Sequence, residues 1–501
     1  FEVCDRRTKT YGRIGMLVPR SFMFLKTFQD FREDFIGNLG GFDFLAEYGI
    51  NILDNATVRT VGTVIRSDVK NDQEGTFIRL EDVEKSRKER AFVNSSFDDS
   101  ISPKIQRLYE RNLSEFSMIP GTPLSYWVSN DLRQLYNSEC YLDAEKGKVE
   151  GESLGEVSAG LCTGDDGRFV REFWEAGGDG NWVPFAKGGS DAWLLPRVNH
   201  VVNWAPREME SQPGGRVQNT DNYFTEALSY TVAKESGRRF GYLHSSSIFS
   251  HKGSVLIPDH AIWQALSYVN SHLFTYLMIA QTTERMWEIG LVSKGPWNEE
   301  FEDITHLEKL SKEAVGYLIS KRQYDFVSPH YNGPILLDVL KTEDTFPLYE
   351  HPHREIQDTV DIQRPSNTVP ASHSIGDMTT AAAMHMKDIE DNLQSCANLI
   401  DKTVFESFDI TESQKNAILQ EIALRTNKDP REKENHDPES ITEPGENFHE
   451  QVKDLMLHFV LRAVDEEDDG IITISAIRDR GGLLTHIQAE FDRIWGEHAD
   501  D

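Results

Sequence analysis

The sequence has few cysteines and no cysteine pair, which limits the kinds of site it can hold. Its four cysteines, Cys4, Cys140, Cys162 and Cys396, are far apart among 501 residues, and none is part of a Cys-x-x-Cys motif. Neither a disulfide framework nor a zinc ribbon is therefore indicated. We expect a reducing, cytoplasmic environment.

The sequence also lacks a signal peptide and an apolar run of membrane-spanning length. Its most apolar helical stretch, residues 268–280, is too short for a bilayer and contains Asn270 and His272, so it predicts a buried helix. We expect no membrane association. The chain starts at Phe1, without Met and without a capping signal before the first predicted strand, and we interpret it as a fragment of a longer protein.

Positive charge is scarce, since 52 Lys and Arg stand against 83 Asp and Glu and the net charge is −31. Taken alone, this charge predicts repulsion from nucleic acids. Binding to nucleic acid would need one of two conditions. One is a locally basic surface within an acidic body, and the other is a halophilic, high-salt cytoplasm in which an acidic surface keeps the protein soluble.

Metal sites are weakly indicated. His351 and His353 could ligate a metal, but no second pair stands at suitable spacing, so we expect surface histidines. Residues 465–476 resemble the start of an EF-hand loop, yet Ala476 stands where a bidentate glutamate is required. The sequence shows no P-loop and no convincing nuclease motif. We predict no metal site.

Hydrophobic periodicity and turn signals predict an α/β fold at the start, then a β-rich region, then helices. In the first region, residues 12–19, 42–49 and 58–67 predict strands and residues 21–39 predict an amphipathic helix. The predicted regions are 1–95 (α/β), 96–150 (helical connector, with helices near 101–109 and 129–135), 151–300 (loop-rich β region with a helix at 259–281), 301–425 (mixed, then helical), 426–450 (acidic linker) and 451–501 (small terminal module).

Five motifs follow in order over about 90 residues of the β-rich region: LCTGDDGRFVRE, WVPFAKGG, VVNW, ALSYT and SSSIFS. In this order they closely resemble the target-recognition region of BREX/Pgl-type site-specific adenine DNA methyltransferases, which are related to single-chain type II restriction-modification methyltransferases. Residues 12–25, 271–297 and 398–419 resemble flanking segments of the same family. The resemblance covers roughly residues 10–425.

This resemblance implies that the first region is the C-terminal half of a Rossmann-like methyltransferase sheet. It also implies methyl transfer from S-adenosylmethionine to adenine N6 in double-stranded DNA, as self-marking in phage defence, with other defence-system proteins as further partners. Such enzymes bind the cofactor at a Gly-rich turn and act through an Asn/Asp-Pro-Pro-Tyr/Phe loop. The chain contains neither. We expect both upstream of Phe1, so no catalytic or cofactor-binding residue is assigned and the fragment alone is expected to be inactive.

Candidate DNA contacts come from the basic residues of the recognition region. Residues 182–252 contain eight bases and six acids, a net charge of +2, whereas the rest of the chain is near −33. Such a surface would let phosphates approach. Arg168 and Arg171 could equally belong to a structural network with nearby acids. The predicted DNA-binding residues are Lys187, Arg197, Arg216, Arg238, Arg239 and Lys252.

Two alternatives stay open. The chain could be a stand-alone, non-catalytic DNA specificity subunit, or part of a single-chain restriction-modification enzyme whose nuclease lies elsewhere. Against the subunit, we expect the strand that ends at Ser67 to be left as an unpaired edge without the other half of its sheet.

Overall fold

The computed structural model describes most of the chain. The described residues are 1–9, 11–34, 40–50, 52–53, 58–67, 74–97, 107–176, 180–189, 193–234, 237–282, 285–340, 351–426, 448–467, 470–474 and 481–496. Nearly all of the predicted acidic linker, residues 426–450, lies outside them. Within the described residues, no helix combines the length and the apolar character needed to cross a bilayer.

Five strands near the start form one mixed sheet in the order β1-β3-β2-β4-β5. They are β1 (Arg13–Pro19), β2 (Gly40–Gly49), β3 (Thr60–Ser67), β4 (Glu74–Arg79) and β5 (Leu108–Asn112). Strand β3 is antiparallel to both β1 and β2, and β4 is parallel to β2. The strand that ends at Ser67 is therefore interior, so the predicted unpaired edge is not at that strand, and among the described strands β1 and β5 lie at the edges of the sheet.

Strand β5 also corrects the prediction of a helix near residues 101–109. Leu108 and Tyr109 pair with Ile78 and Phe77 of β4 in an antiparallel ladder, while residues 101–106 lie outside the described residues. Tyr109 is buried against Tyr126, with ring centroids 5.2 Å apart. The sheet thus reaches into the region that the sequence predicts as a helical connector.

The first helices are α1 (Glu2–Asp5), α2 (Gln29–Asp34) and α3 (Lys88–Phe97). The continuous helix predicted over residues 21–39 is wrong, because two 3-10 turns precede α2. The buried guanidinium of Arg32 explains the break. It donates to the backbone carbonyls of Phe22 and Leu25, which in an uninterrupted helix would accept from N–H groups four residues later, and it is also held by the carbonyls of Gly121 and Thr122.

The described residues of the central region form eleven short strands in three sheets, as its turn-rich sequence predicts. The sheet orders are β16-β6-β7, β14-β10-β11-β9 and β13-β12-β15-β8. The strands are β6 (Cys140–Tyr141), β7 (Glu152–Ser153), β8 (Gly155–Ser158), β9 (Val170–Glu172), β10 (Trp182–Ala186), β11 (His200–Asn203), β12 (Ala227–Thr231), β13 (Phe240–Leu243), β14 (Ile248–Phe249), β15 (Gly253–Pro258) and β16 (Pro296–Trp297).

Helices of the central region are α4 (Asn130–Gln134), α5 (Ala144–Gly147), α6 (Asp166–Phe169), α7 (Pro206–Glu210), α8 (Ile262–Val269) and α9 (His272–Gln281). The single helix predicted over residues 259–281 is divided between α8 and α9. The side chain of Asn270 bonds the backbone N–H and carbonyl of Phe240, and the Ser271 hydroxyl caps α9 by accepting from Phe274 N. These bonds fix the break against strand β13.

The remaining helices are α10 (Ile289–Val292), α11 (Thr305–Arg322), α12 (Ile335–Val339), α13 (Ile375–Ser407), α14 (Glu412–Thr426), α15 (Phe448–Asp465) and α16 (Leu483–Trp495). Helix α13 begins with a reciprocal capping box between Ser374 and Asp377. Leu455 and Phe459 of α15 share one hydrophobic core with α12 and α13. The terminal helices therefore complete the core of the helical region.

A buried ionic network joins the first sheet to α14. Arg79 of β4 donates two hydrogen bonds of 2.8 Å to Glu421. Arg20 donates to Glu47 of β2 at 2.7 Å. Arg425 lies 3.6 Å from the same Glu47 carboxylate. Since buried charges are tolerated only when paired, this network fixes α14 on the sheet. The several sheets and many helices confirm a mixed α/β architecture.

Candidate nucleic-acid interface

Three chain segments that run in the same direction end together in the recognition region. Strands β10 and β14 are parallel, with Ala186 opposite Phe249. Leu161 forms a parallel bridge with Ser250. Because the carboxyl ends of parallel segments meet at one edge, the turns that follow them converge. These turns belong to the TGDDGRF, FAKGG and SIFS motifs.

The converging turns enclose a cleft of about 410 Å³, which we call the strand-end cleft. Its lining contains two lysines, one aspartate, one histidine and several hydroxyl and backbone groups. The lining residues are Leu161, Cys162, Thr163, Gly164, Asp166, Phe185, Lys187, Ser250, His251 and Lys252.

Ser250 holds the two lysine-bearing turns together. Its hydroxyl donates to the carbonyl oxygen of Lys187 at 2.5 Å and accepts from the backbone N–H groups of Lys252 and Gly253, each at 3.0 Å. One small side chain therefore sets the relative position of Lys187 and Lys252. The two turns lie so close together that only a glycine fits at position 188. Its φ is +75°, and an added Cβ would lie 2.4 Å from the Lys252 carbonyl group.

The charges of the strand-end cleft are arranged around Asp166. The Lys187 ammonium lies 3.2 Å from its carboxylate, and the Thr163 hydroxyl donates to it at 2.5 Å. Partial burial opposes ionisation, but these two bonds and the charges of Lys187 and Lys252 hold the pKa of Asp166 below its ordinary value. Lys252 is exposed and forms no ion pair with any described residue.

Arg216 lies beside the strand-end cleft, as its backbone pairs with that of Cys162 through hydrogen bonds of 2.9 and 2.8 Å. Its side chain is exposed. The structure thus brings three of the six predicted DNA-binding residues, Lys187, Arg216 and Lys252, to one place. The other three lie elsewhere.

Arg239 is buried, with 2% of its surface exposed, and its guanidinium stacks 3.7 Å from the Trp287 ring centre. It donates to backbone carbonyls, including those of Thr231 and Arg285. Arg238 is also largely buried and bonds the carboxylate of Asp401 on α13 at 2.5 Å. Burial contradicts the prediction of DNA contacts for this arginine pair, because both guanidinium groups are used inside the protein.

Arg197 lies where the recognition region meets the helical region, and it pairs with Asp325 at 3.3 Å. Arg168 pairs with Glu208, while Arg171 donates to the carbonyls of Gly167 and Val170. The net charge of +2 counted over residues 182–252 is therefore not a surface charge, since several of its cations are used internally. At the strand-end cleft, Lys252 and Arg216 are exposed.

The histidines predicted at the surface are buried, so that prediction is wrong. His351 and His353 are 6% and 1% exposed and lie beside His330, whose ring centre is 5.6 Å from that of His353. His351 also contacts the Phe173 ring of the recognition region at 5.2 Å. Burial lowers the pKa of all three, that of His351 to about 4. Across the described ranges, no three His, Cys, Asp or Glu side chains form a group suited to a metal ion.

Sequence reasoning missed Ser250 and Asp166 as parts of the site. Both stand inside the motifs that carry the family resemblance, so their position was available, but their role depends on contacts between distant turns. Ser250 bonds a residue 63 positions away. Short-range patterns hold no signal for such a contact.

The fold and the strand-end cleft can now be compared with known proteins. No family model matches the chain. It is 23% identical over 327 residues to the adenine-specific methyltransferase PglX of Lacticaseibacillus casei (strain Zhang), covering 59% of this chain and 26% of that protein. It is 25% identical over 328 residues to the adenine-specific methyltransferase BrxX of Escherichia coli O9:H4 (strain HS), covering 61% and 25%. The predicted resemblance to BREX/Pgl-type adenine methyltransferases is confirmed. The chain spans about a quarter of the length of these relatives.

Solved structures of restriction-modification enzymes show a weaker likeness. The type IIL enzyme MmeI in complex with DNA has a TM-score of 0.41 at 11% identity and covers 83% of this chain and 50% of that chain. A DrdV–DNA complex has a TM-score of 0.37 at 10% identity, with coverages of 81% and 51%.

Proposed function

We propose that the chain is the DNA-recognition part of a site-specific adenine-N6 methyltransferase that marks host DNA as self in phage defence. The observation that carries this proposal is the strand-end cleft. It is built from three of the five motifs that resemble the BREX/Pgl family, and it gathers Lys187, Lys252 and Arg216 in an otherwise acidic protein.

The proposed contact is electrostatic. Lys252 is exposed and Lys187 is partly exposed, and both line the cleft, so both can contact phosphate oxygens of a duplex that lies across it. Asp166 holds Lys187 in place before DNA arrives. A phosphate would then compete with this carboxylate for the ammonium. These contacts position the duplex, and base-edge contacts would supply the sequence preference.

The family's methyl donor, S-adenosylmethionine, does not fit the residues of this chain. The sequence has no Asn/Asp-Pro-Pro motif. In the described part of the five-stranded sheet, no strand runs through a Gly-x-Gly turn into a helix. We therefore place cofactor binding and base chemistry in parts of the protein outside residues 1–501. The chain alone is expected to bind DNA without methylating it.

The open edge of the first sheet supports this division. Among the described strands, β1 pairs only with β3, and its Leu17 is 49% exposed. An edge strand with an exposed apolar side chain is a surface for further pairing. We propose that strands of a catalytic domain continue the sheet there.

The test is a titration of a mixed-sequence duplex with the 501-residue chain at several salt concentrations, followed by fluorescence anisotropy. In Lys187→Ala/Lys252→Ala we expect weaker binding and a slope of log affinity against log salt that is smaller by about 2, roughly one for each lost phosphate contact. The matched control is Lys309→Ala/Lys402→Ala, which removes the same charge from exposed positions on α11 and α13. Equal binding by both double variants would refute the placement.

A further inference from the structure

Phe224 has an unusual backbone and an unusual exposure. It lies in the segment between a 3-10 turn at Thr220–Asn222 and strand β12. Its φ is +58°, in the left-handed region, and 49% of its surface is exposed. Its ring makes no aromatic contact with any described residue. A bulky side chain is rarely held in this backbone conformation, which is strained for residues with a Cβ.

The surroundings of Phe224 enforce this conformation. The preceding Tyr223 is buried, with its ring 5.6 Å from Trp204 and 5.1 Å from Phe249. The backbone N–H of Phe224 donates to the carbonyl of Ser247 at 3.2 Å. Because the Tyr223 side chain is fixed in the interior, the left-handed backbone of Phe224 leaves the Phe224 ring exposed. Backbone strain of this kind is kept only where contacts with the surrounding structure hold the residue in place, and it is concentrated at functional sites.

The position of Phe224 connects it with the strand-end cleft. Its partner Ser247 precedes strand β14, and Ser250 of the cleft follows that strand directly. Three residues of extended chain span about 10 Å. Phe224 and the two lysines are therefore carried by opposite ends of one short strand, a separation well within the width of a DNA duplex.

We propose that Phe224 is a stacking residue whose ring lies against an unstacked base of bound DNA. This inference rests on the proposed function. Every base has an aromatic face that an exposed phenyl ring can cover, and apolar wedges at DNA interfaces act in this way. The neighbouring Asp221 and Glu226 are exposed carboxylates. They disfavour a phosphate at this point, so a base is the DNA group that fits beside Phe224.

The experiment compares two duplexes of the same sequence, one fully paired and one with a single unpaired base, in titrations with the 501-residue chain. A residue that stacks on an unstacked base binds the second duplex more tightly, because the cost of unstacking is already met. In Phe224→Ala we expect affinity for this duplex to fall by about 5- to 150-fold, the range for one base–aromatic stack, and the preference to vanish. Phe224→Trp should keep the preference.

A second readout separates stacking from a structural role. Phe224→Gly relieves the left-handed strain, so its melting temperature should rise while DNA affinity falls. One control is matched to the exposed ring of Phe224 and the other to its left-handed backbone. Phe326→Ala removes an aromatic ring of 40% exposure outside the recognition region, and Ala261→Gly relieves a φ of +53°. Neither should alter the preference between the duplexes.

An unchanged preference in Phe224→Ala, or no preference in the unaltered chain, would overturn the stacking role. If the lysine double variant meanwhile weakens binding as expected, the proposed function stands and only the stacking role fails. If the unaltered chain binds neither duplex at low salt, both fail.

Discussion

Replacing Asp401 by Asn should destabilise the protein by about 3 kcal/mol at pH 7. Asp401 lies on α13 and accepts from the backbone N–H of His272 at 2.7 Å, from its ring Nδ1 at 2.5 Å and from Arg238 at 2.5 Å. Burial opposes ionisation of Asp401, but these His272 and Arg238 contacts hold its pKa at about 2. Burial also lowers the pKa of His272, so its ring is neutral at pH 7 and Arg238 supplies the positive charge.

Two routes give the magnitude. The pKa of Asp401 falls from 3.8 to about 2 in the folded state, which corresponds to about 2–3 kcal/mol. Removal of one partner from a buried ion pair costs about 3–5 kcal/mol, because Arg238 would keep its charge without compensation. The estimates meet near 3 kcal/mol.

The pH dependence follows from the direction of the shift. A carboxyl group whose pKa is lowered on folding adds stability above its unfolded pKa, and that stability is lost as pH falls from about 4 to about 2. The difference in unfolding free energy between the unaltered protein and Asp401→Asn should therefore become smaller as pH falls from about 4 to about 2.

The assay is urea unfolding monitored by tryptophan fluorescence, since the Trp193 ring centre lies 5.5 Å from Cζ of the Arg238 guanidinium. Asp388→Asn, at an exposed position of the same helix, is the control and should change stability by less than about 0.5 kcal/mol. A loss below about 1 kcal/mol in Asp401→Asn at pH 7, or a loss that is independent of pH down to 2, would refute the reasoning.

Two further predictions concern the strand-end cleft and the buried histidines. Gly188→Ala forces a Cβ to 2.4 Å from the Lys252 carbonyl at a positive φ, so both the melting temperature and DNA affinity should fall; normal values of both would contradict the tight approach of the turns. Burial lowers the pKa of His330, His351 and His353, so the unfolded chain binds protons below about pH 6.5 that the folded chain excludes. Stability should fall as pH decreases from about 6.5 towards 4, and His353→Asn should flatten this dependence in urea titrations.

Much of the fold follows from local patterns. Strands β1, β2 and β3 lie where the strand patterns predict them, and the long helix α13 lies in the part of residues 301–425 that is predicted to be helical. The predictions that failed depend on distant contacts. The helix expected over residues 21–39 is broken where Arg32 bonds the carbonyls of Phe22 and Leu25, and Arg32 is itself held by carbonyls about 90 positions away.

In the candidate site, too, some features follow from local sequence patterns and others depend on contacts between distant residues. The motifs place Lys187 on a turn and end two residues before Lys252, and the structure brings the two lysines together. Arg238 and Arg239 look equally exposed in sequence, because an arginine pair after a turn is typical of a solvated strand start. Inside the protein, Arg238 pairs with the carboxylate of Asp401, which lies 163 positions later in the sequence. Charge counted along the chain could not separate the exposed cations from those that link the recognition region to α13.

Site-specific DNA recognition by this chain is the central claim, and selection from a random duplex pool tests it most directly. The 501-residue chain would be incubated with duplexes that contain a randomised core, and the bound fraction would be amplified and sequenced over several rounds. We predict enrichment of a single consensus sequence, which Lys187→Ala/Lys252→Ala should recover only at lower salt. Binding without any enriched sequence, or no binding at all, would contradict the account.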